Sequence, residues 1–194
     1  KAEALRQEVS ALAEELAEKL EDGKLKDMFR QCFVSTAATT ARFLPEGRAY
    51  VITGDIEAMW LRDSSAQVAH YLPYLKRSPM LRELVRGLLI QQMDFICIDP
   101  YANAFNQEPN GRCFGKDETE TSPWIWERKY EVDSLCYPVR LLAQYRRATG
   151  DDSIFGDRTK EALEKIVTLW EAQQRHWECA EYSFVRRNCP ASDT

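Results

Sequence analysis

The stretch "MWLRDSSAQV", residues 59–68, places a guanidinium and a carboxylate beside a large aromatic ring at the start of an apolar segment. Arg62 and Asp63 directly follow Trp60-Leu61 in the chain. Charged groups in such a setting cost desolvation free energy unless they are paired or meet a ligand. Two interpretations are open. Arg62 and Asp63 form an ion pair that tethers the loop to the following helix, or each has a separate partner, one of which is a substrate.

Polar and aromatic side chains are mixed in three stretches, residues 54–65, 99–123 and 124–138. Aromatic rings pack against the apolar face of a pyranose, while carboxylates, amides and guanidinium groups bond its hydroxyls. The mixture therefore predicts a carbohydrate site, whereas no glycine-rich phosphate loop is present. The candidate residues are Asp55, Trp60, Arg62, Asp63, Tyr101, Asn103, Phe105, Asn106, Gln107, Trp124, Trp126, Tyr130, Glu131 and Asp133. We expect one of the two tryptophans Trp124 and Trp126 to lie in the core.

Asp133 has the setting of a general acid. It follows aromatic residues and precedes an apolar helix, where partial burial favours the protonated form that a general acid needs. Glycoside hydrolysis requires two carboxyl groups, one that protonates the leaving oxygen and one that acts as base or nucleophile. The alternative is structural, because Asp followed by Ser is a common N-cap of a helix. Both interpretations of Asp133 remain open from the residues alone.

Composition excludes several classes of protein. The chain has 194 residues, 44% of them hydrophobic, which suits one globular domain. The formal net charge is -5 and no run of basic residues occurs, so nucleic acid is not an expected partner. No apolar run approaches the roughly 20 residues that span a bilayer, and the charged, amphipathic N-terminus differs from a secretory signal. Together with irregularly spaced cysteines, this favours a cytoplasmic protein.

Metal ligands and cysteine pairs are not indicated. His70 and His176 lie far apart and neither has a second ligand at zinc spacing, so we expect neither a metal nor any other cofactor. The six cysteines show no CxxC pair, and we expect most of them to be reduced. Apolar neighbours predict buried positions for Cys32, Cys97 and Cys136.

Helical periodicity dominates the chain and predicts about six helices. Two helices fill 2–43 with a turn at Asp22-Gly23, and a short strand-like piece covers 48–55. Ser64 or Ser65 caps the next helix. Further helices run from Pro79 to Pro100, over 134–149 and over 157–177, and residues 99–123 form a long loop, a kind that is commonly functional. The unusual residues should gather at one end of a helical array.

Three motifs in order, "GDIEAMWLRDSSAQV", "PYANAFNQEPNG" and "WERKYEVDSLCYP", resemble glycoside hydrolase family 125 from about residue 30 to 190. The resemblance implies an all-α (α/α)6 barrel and metal-independent, exo-acting, inverting removal of terminal α-1,6-linked mannose from mannans or N-glycan-type oligosaccharides. It makes Asp133 the general acid, with Arg62 and Asp63 as the pair that holds hydroxyls of the terminal sugar. Further candidates for that subsite are Asp55, Trp60, Asn103, Gln107 and Glu131.

The general base of the resembled family is a Glu in the second half of a considerably longer chain, and no motif for it occurs before Thr194. We therefore expect residues 1–194 to be the N-terminal part of one catalytic domain, half of a barrel. Such a part alone should be inactive and should associate through an exposed apolar wall.

Two other functions remain open. One keeps the (α/α)6 glycosidase architecture and changes the sugar, for instance to glucose. The other is a non-catalytic helical module that binds glycans or protein, with Asp133 as a helix cap. The sequence does not predict an oligomeric state.

Overall fold

The computed structural model describes residues 1–115, 118–178 and 182–187. In this part of the chain, the fold contains six α-helices. They are α1 (Ala2–Ala17), α2 (Gly23–Ser35), α3 (Leu61–Ala69), α4 (Pro79–Ile98), α5 (Val132–Thr149) and α6 (Asp157–Gln173). A π-helical turn (Thr36–Thr40) extends α2, and 3-10 turns cover Pro45–Gly47 and Leu72–Tyr74. No helix within the described ranges is long and apolar enough to cross a membrane.

Helix α4 lies at the centre of the core. It packs against α5, α6 and α1, and its buried side chains include Leu84, Leu88 and Phe95. Ser78 caps its N-terminus by accepting a hydrogen bond from Leu81 N at 3.1 Å, and Pro79 occupies the first helical position, which needs no N–H donor. The strong apolar periodicity of 81–96 therefore predicted this element correctly.

Helices α3 and α5 lie side by side and run in the same direction. Arg62 at the start of α3 contacts Asp133 at the start of α5, and the body of α5 also contacts the turn Leu72–Tyr74 that follows α3. The two N-termini consequently lie at the same end of the fold, which is where the sequence placed the unusual residues.

Five short strands connect the helices: β1 (Ala41–Phe43), β2 (Ala49–Val51), β3 (Met59–Trp60), β4 (Ala104–Phe105) and β5 (Ile125–Glu127). β1 and β2 form an antiparallel pair, and β3, β4 and β5 form an antiparallel sheet with Trp60 opposite Ala104. The expected structureless loop over 99–123 was therefore wrong in part, because β4 lies inside it. The ring of Phe105 stacks on Phe95 of α4 at 4.4 Å, which fixes the sheet to the helical core.

The predicted cap of α3 was also wrong. The helix begins at Leu61, with Trp60 at the N-cap, because the backbone oxygen of Asn103 accepts the hydrogen bond of Leu61 N at 3.0 Å. Ser64 and Ser65 are buried inside the helix, where both hydroxyls accept hydrogen bonds from Gln92 Nε2. Arg62 and Asp63 thus belong to the first turn of the helix.

Several smaller expectations need correction. The second helix does not reach residue 43, since its π-helical turn ends at Thr40 and β1 follows. Cys97 is buried as expected, whereas Cys32 and Cys136 are exposed on the surfaces of α2 and α5. Helix α6 ends at Gln173, and Trp177 is 95% exposed. Cys32, Cys97, Cys113 and Cys136 are free thiols. The remaining cysteines, Cys179 and Cys189, lie outside the described residues.

A close backbone approach predicts that Gly87→Ala destabilises the protein. A Cβ atom on Gly87 of α4 would lie 2.8 Å from Gly47 O and 2.9 Å from Ala49 N. Because both neighbours are backbone atoms, either α4 or the β1–β2 connection must shift, and we expect a loss of about 1–3 kcal/mol in the free energy of unfolding. Urea denaturation of the wild type and the variant measures it.

Gly23→Ala is the matched control, because no heavy atom lies within 4 Å of a Cβ at Gly23. We expect its stability to be unchanged or slightly raised. Equal stability of Gly87→Ala and Gly23→Ala would show that the close contact at α4 does not constrain the fold.

Candidate active site

The paired N-termini of α3 and α5 gather one guanidinium and three carboxyl groups. Arg62 and Asp63 lie in the first turn of α3, Glu131 is the N-cap residue of α5, and Asp133 lies in its first turn. The positive end of a helix macrodipole favours negative charge, so both helix ends support this accumulation of carboxylates. The site is therefore built on two rigid elements and not on a loop.

Arg62 links the three carboxyl groups of the cluster. Its Nη1 donates hydrogen bonds to Asp133 Oδ2 at 3.1 Å and to Glu131 Oε2 at 3.3 Å, while Nη2 lies 3.3 Å from Asp63 Oδ2. Burial lowers the pKa of Arg62, but the hydrogen bond to Asp133 and the charges of the three carboxylates outweigh burial and leave this pKa raised. The guanidinium thus stays charged and is shared among three acidic groups.

The alternative interpretation of Asp133 as the N-cap of α5 is wrong. Glu131 occupies the N-cap position and makes no side-chain capping bond, and its Oε2 instead accepts a hydrogen bond from Ser134 Oγ at 3.1 Å. The Asp133 side chain is 45% exposed and is held by Arg62. Its carboxyl group is therefore both oriented and open to a ligand, as a group that exchanges a proton with a substrate must be.

The Asp63 carboxyl lacks a complete set of hydrogen-bond partners. Its Oδ2 is covered and makes no hydrogen bond within the described part of the chain, although the Arg62 guanidinium lies close to it. The side chain as a whole is 42% exposed. A carboxyl oxygen with an incomplete set of hydrogen bonds fits a group that gains donors when a polyhydroxyl ligand binds.

Three of the other predicted residues have different surroundings. Asn103 is fully buried, where its Nδ2 donates to Glu127 Oε2 at 2.6 Å, so it supports the sheet and does not face a ligand. Gln107 accepts a hydrogen bond from Arg42 at 2.9 Å, and Arg42 also pairs with Glu57. Neither the Asn103 nor the Gln107 side chain hydrogen-bonds Arg62. Asp55 is exposed and has no bonded partner among the residues that the structure describes.

Trp60 remains next to the cluster as the N-cap residue of α3. Its backbone N donates to Thr53 Oγ1 at 3.1 Å, and its ring is half-buried. Of the two later tryptophans, Trp124 packs on the core beside Phe95, as expected for one of the pair. Trp126 is half-buried in β5.

The sequence did not point to Glu127, which organises the support of the site. Its carboxylate accepts the Asn103 amide on one side and pairs with Arg186 on the other, and both members of this ion pair are at least 88% buried. The Asn103 carbonyl oxygen accepts a hydrogen bond from Leu61 N, so this network fixes the start of α3. Glu127 is the last residue of a three-residue strand in a chain with 31 acidic residues, and its residue type alone carries no signal that would have identified it.

In the part of the chain that is described, the site offers no set of metal ligands beyond the carboxyl groups that share Arg62. Within the described ranges, no group of three or more His, Cys, Asp or Glu side chains is arranged to hold a metal ion. The charge that balances the acidic cluster comes from Arg62.

We predict that Arg62→Leu destabilises the protein, because three nearby carboxylates lose their shared cation. The groups are partly exposed, so we discount the cost for solvent screening and expect about 1–2 kcal/mol at low salt. Part of this loss should be recovered in the double variant Arg62→Leu/Asp133→Asn, which removes one of the repelling charges. Urea denaturation at low and at high salt measures both effects.

Arg147→Leu is the matched control, since Arg147 is an exposed residue near the far end of α5. We expect it to change the free energy of unfolding by less than about 0.5 kcal/mol. If Arg62→Leu were as harmless as Arg147→Leu, the shared guanidinium would not hold the cluster together.

Known proteins resemble this chain in sequence and in fold. A Streptococcus pneumoniae protein, described as a metal-independent alpha mannosidase and solved in a non-productive substrate complex with alpha-1,6-mannobiose, matches it with a TM-score of 0.88 and 41% identity. The match covers 97% of this chain and 44% of that protein. It confirms the helical fold as part of an (α/α)6 barrel.

A second relative is the Meiotically up-regulated gene 157 protein of Schizosaccharomyces pombe, which is 33% identical over 177 residues. These cover 85% of this chain and 35% of that protein, so the chain spans less than half the length of both relatives. Residues 22–194 also match the family described as metal-independent alpha-mannosidases, GH125. With the family pattern extending over most of its length, the chain belongs to glycoside hydrolase family 125.

Proposed function

We propose that the protein to which this chain belongs is an exo-acting α-1,6-mannosidase that inverts the anomeric carbon. The observation that carries the proposal is the open carboxyl of Asp133, held by Arg62 at the paired N-termini of α3 and α5. Support comes from membership of the α-mannosidase family and from the likeness to a protein solved with alpha-1,6-mannobiose. The substrate is a mannose-containing oligosaccharide with an α-1,6-linked terminal residue.

In this proposal Asp133 is the general acid that protonates the leaving glycosidic oxygen. We propose that the general base is a carboxylate contributed from outside residues 1–194, since the chain spans 44% of the similar structure. An inverting reaction needs about 6.5–9.5 Å between the two carboxyl groups, so that a water molecule fits between the base and the sugar. Asp133 would face that base across the barrel.

Arg62 has two successive roles. In the free site its Nη1 hydrogen-bonds Asp133 Oδ2 at 3.1 Å. A general acid must instead direct its proton at the leaving oxygen. We infer that hydroxyls of the terminal mannose take over Arg62, with Asp63 and Glu131 as the remaining acceptors, and that the Asp133 carboxyl is thereby free to turn to that oxygen. Substrate binding itself would then prepare the acid.

The direct test is hydrolysis of α-1,6-mannobiose by the full-length protein, with the anomer of the released mannose read by NMR during the first turnovers. We expect β-mannose, because a single displacement inverts an α-linkage. Release of α-mannose would contradict inversion. Cleavage of an α-1,2-linked or α-1,3-linked isomer or of a glucoside, with no cleavage of the α-1,6 isomer, would contradict the substrate.

A second test replaces the acid. We expect Asp133→Asn to lower kcat on α-1,6-mannobiose by about 10²–10⁴-fold, because an amide cannot donate the proton. The melting temperature should stay close to that of the wild type, since the side chain makes no capping bond and is 45% exposed.

Asp157→Asn is the matched control, because Asp157 is an exposed residue in the first turn of α6. We expect it to retain full activity. Unchanged kcat in Asp133→Asn would remove Asp133 from the mechanism, and loss of activity accompanied by a large fall in melting temperature would assign it a structural role.

A further inference from the structure

A cavity of about 380 Å³ lies away from the acidic cluster, on the side of α4 that faces the turn after β1 and the start of α6. We call it the α4 pocket. Among the residues that line it are Leu44, Gln91, Asp94, Ile98, Trp124 and Arg158, together with the ion pair of Arg48 and Glu46. None of them contacts Arg62, Asp63, Glu131 or Asp133. Its volume falls within the range of about 300–1,000 Å³ that holds small ligands.

Gln91 supplies the α4 pocket with an amide that no other side chain or backbone group uses. The residue is 5% exposed, and its side-chain amide makes no hydrogen bond with any residue of the described part of the chain. An amide offers two donors and an acceptor. The amide lines the cavity, so a ligand there could use these groups.

The charges of the α4 pocket are fixed and balanced. The Asp94 carboxylate accepts hydrogen bonds from Arg48 Nε at 2.7 Å and from Arg158 Nε at 2.9 Å, and Glu46 pairs with Arg48. Two cationic and two anionic side chains leave no net charge to attract a phosphate or a carboxylate. The ion pairs do hold polar groups in place, which favours a neutral ligand with many hydroxyls.

An apolar wall completes the α4 pocket. Trp124 packs on Phe95 with 6.2 Å between ring centroids, and its ring is half-buried. Leu44 also lines the cavity, and Ile98 at the end of α4 is 38% exposed. A flat aromatic surface next to free amide groups is the combination that accommodates a pyranose ring, whose C–H face packs on the aromatic while its hydroxyls bond polar groups.

We propose that the α4 pocket is a second, non-catalytic saccharide site that binds a hexose unit of the glycan. The choice of sugar as ligand rests on the proposed function. Binding at the α4 pocket would hold a large glycan on the enzyme while its terminal residue is cleaved at Asp133, and it would leave the hydrolysis of a disaccharide unaffected.

The experiment titrates the full-length Asp133→Asn variant with α-1,6-mannobiose and follows the indole N–H resonance of Trp124, assigned by its disappearance in Trp124→Phe. We expect this resonance to shift in a saturable manner. Adding Gln91→Leu should weaken that binding at least about fivefold, since the amide donors are lost. Gln91→Leu should fold normally, because replacing an unsatisfied amide with an apolar group of similar shape costs little. Gln31→Leu, on the exposed face of α2, is the matched control.

A Trp124 resonance that does not move, or that moves equally with and without Gln91, would overturn the proposal. On the wild-type background, Gln91→Leu should leave turnover of α-1,6-mannobiose unchanged and raise KM for an α-1,6-linked mannan. Equal KM values for the mannan would contradict the role in holding long glycans. Binding at the α4 pocket without hydrolysis of mannobiose would refute the proposed function alone, and hydrolysis without binding would refute the second site alone.

Discussion

The arrangement of this part of an (α/α)6 barrel depends on one guanidinium that is shared by three carboxyl groups. Arg62 contacts Asp63, Glu131 and Asp133, which come from the first turns of two parallel helices. Without the cation, the paired helix N-termini would bring like charges together in a partly buried space. With it, the helix dipoles and the guanidinium together balance an acidic cluster that still leaves Asp133 open. The structural role and the proposed chemical role of Arg62 therefore have the same physical origin.

The rest of the fold positions this contact through buried polar groups. The sheet of β3, β4 and β5 delivers the chain to α3, and the Asn103 carbonyl accepts the first helical N–H. Glu127 accepts a hydrogen bond from the Asn103 side chain and is itself paired with Arg186. Gln92 of α4 donates hydrogen bonds to the hydroxyls of Ser64 and Ser65 in α3, which links the site to the central helix. A position at the start of α3 is thus determined by hydrogen bonds from three different segments of the chain.

The sequence predicted the helices, because apolar periodicity is a local property. It also singled out Arg62, Asp63 and Asp133 by their unusual surroundings, and the fold brings these three side chains together. The sequence-based prediction failed where a contact with a residue far away in the chain determines the local structure. Ser64 and Ser65 have the residue type of a cap, but tertiary contact with Asn103 places the cap at Trp60, four residues before Ser64. Strands of two or three residues are too short to show an alternating pattern. Asn103 and Gln107 lie in the same polar stretch, one before and one after β4. The position of β4 in the sheet buries Asn103, whereas Gln107 pairs with Arg42.

The proposed catalytic step requires Arg62 to exchange Asp133 for hydroxyls of the substrate. A structure with a bound substrate analogue tests this exchange most directly. The measurement is the crystal structure of the full-length protein with α-1,6-thiomannobiose, a linkage that resists hydrolysis. We expect Arg62 to bond mannose hydroxyls and to leave Asp133, so that the 3.1 Å contact between Nη1 and Oδ2 opens beyond hydrogen-bond distance. A mannose ring seated at the paired helix N-termini with that contact still intact would contradict the release of Asp133 by substrate.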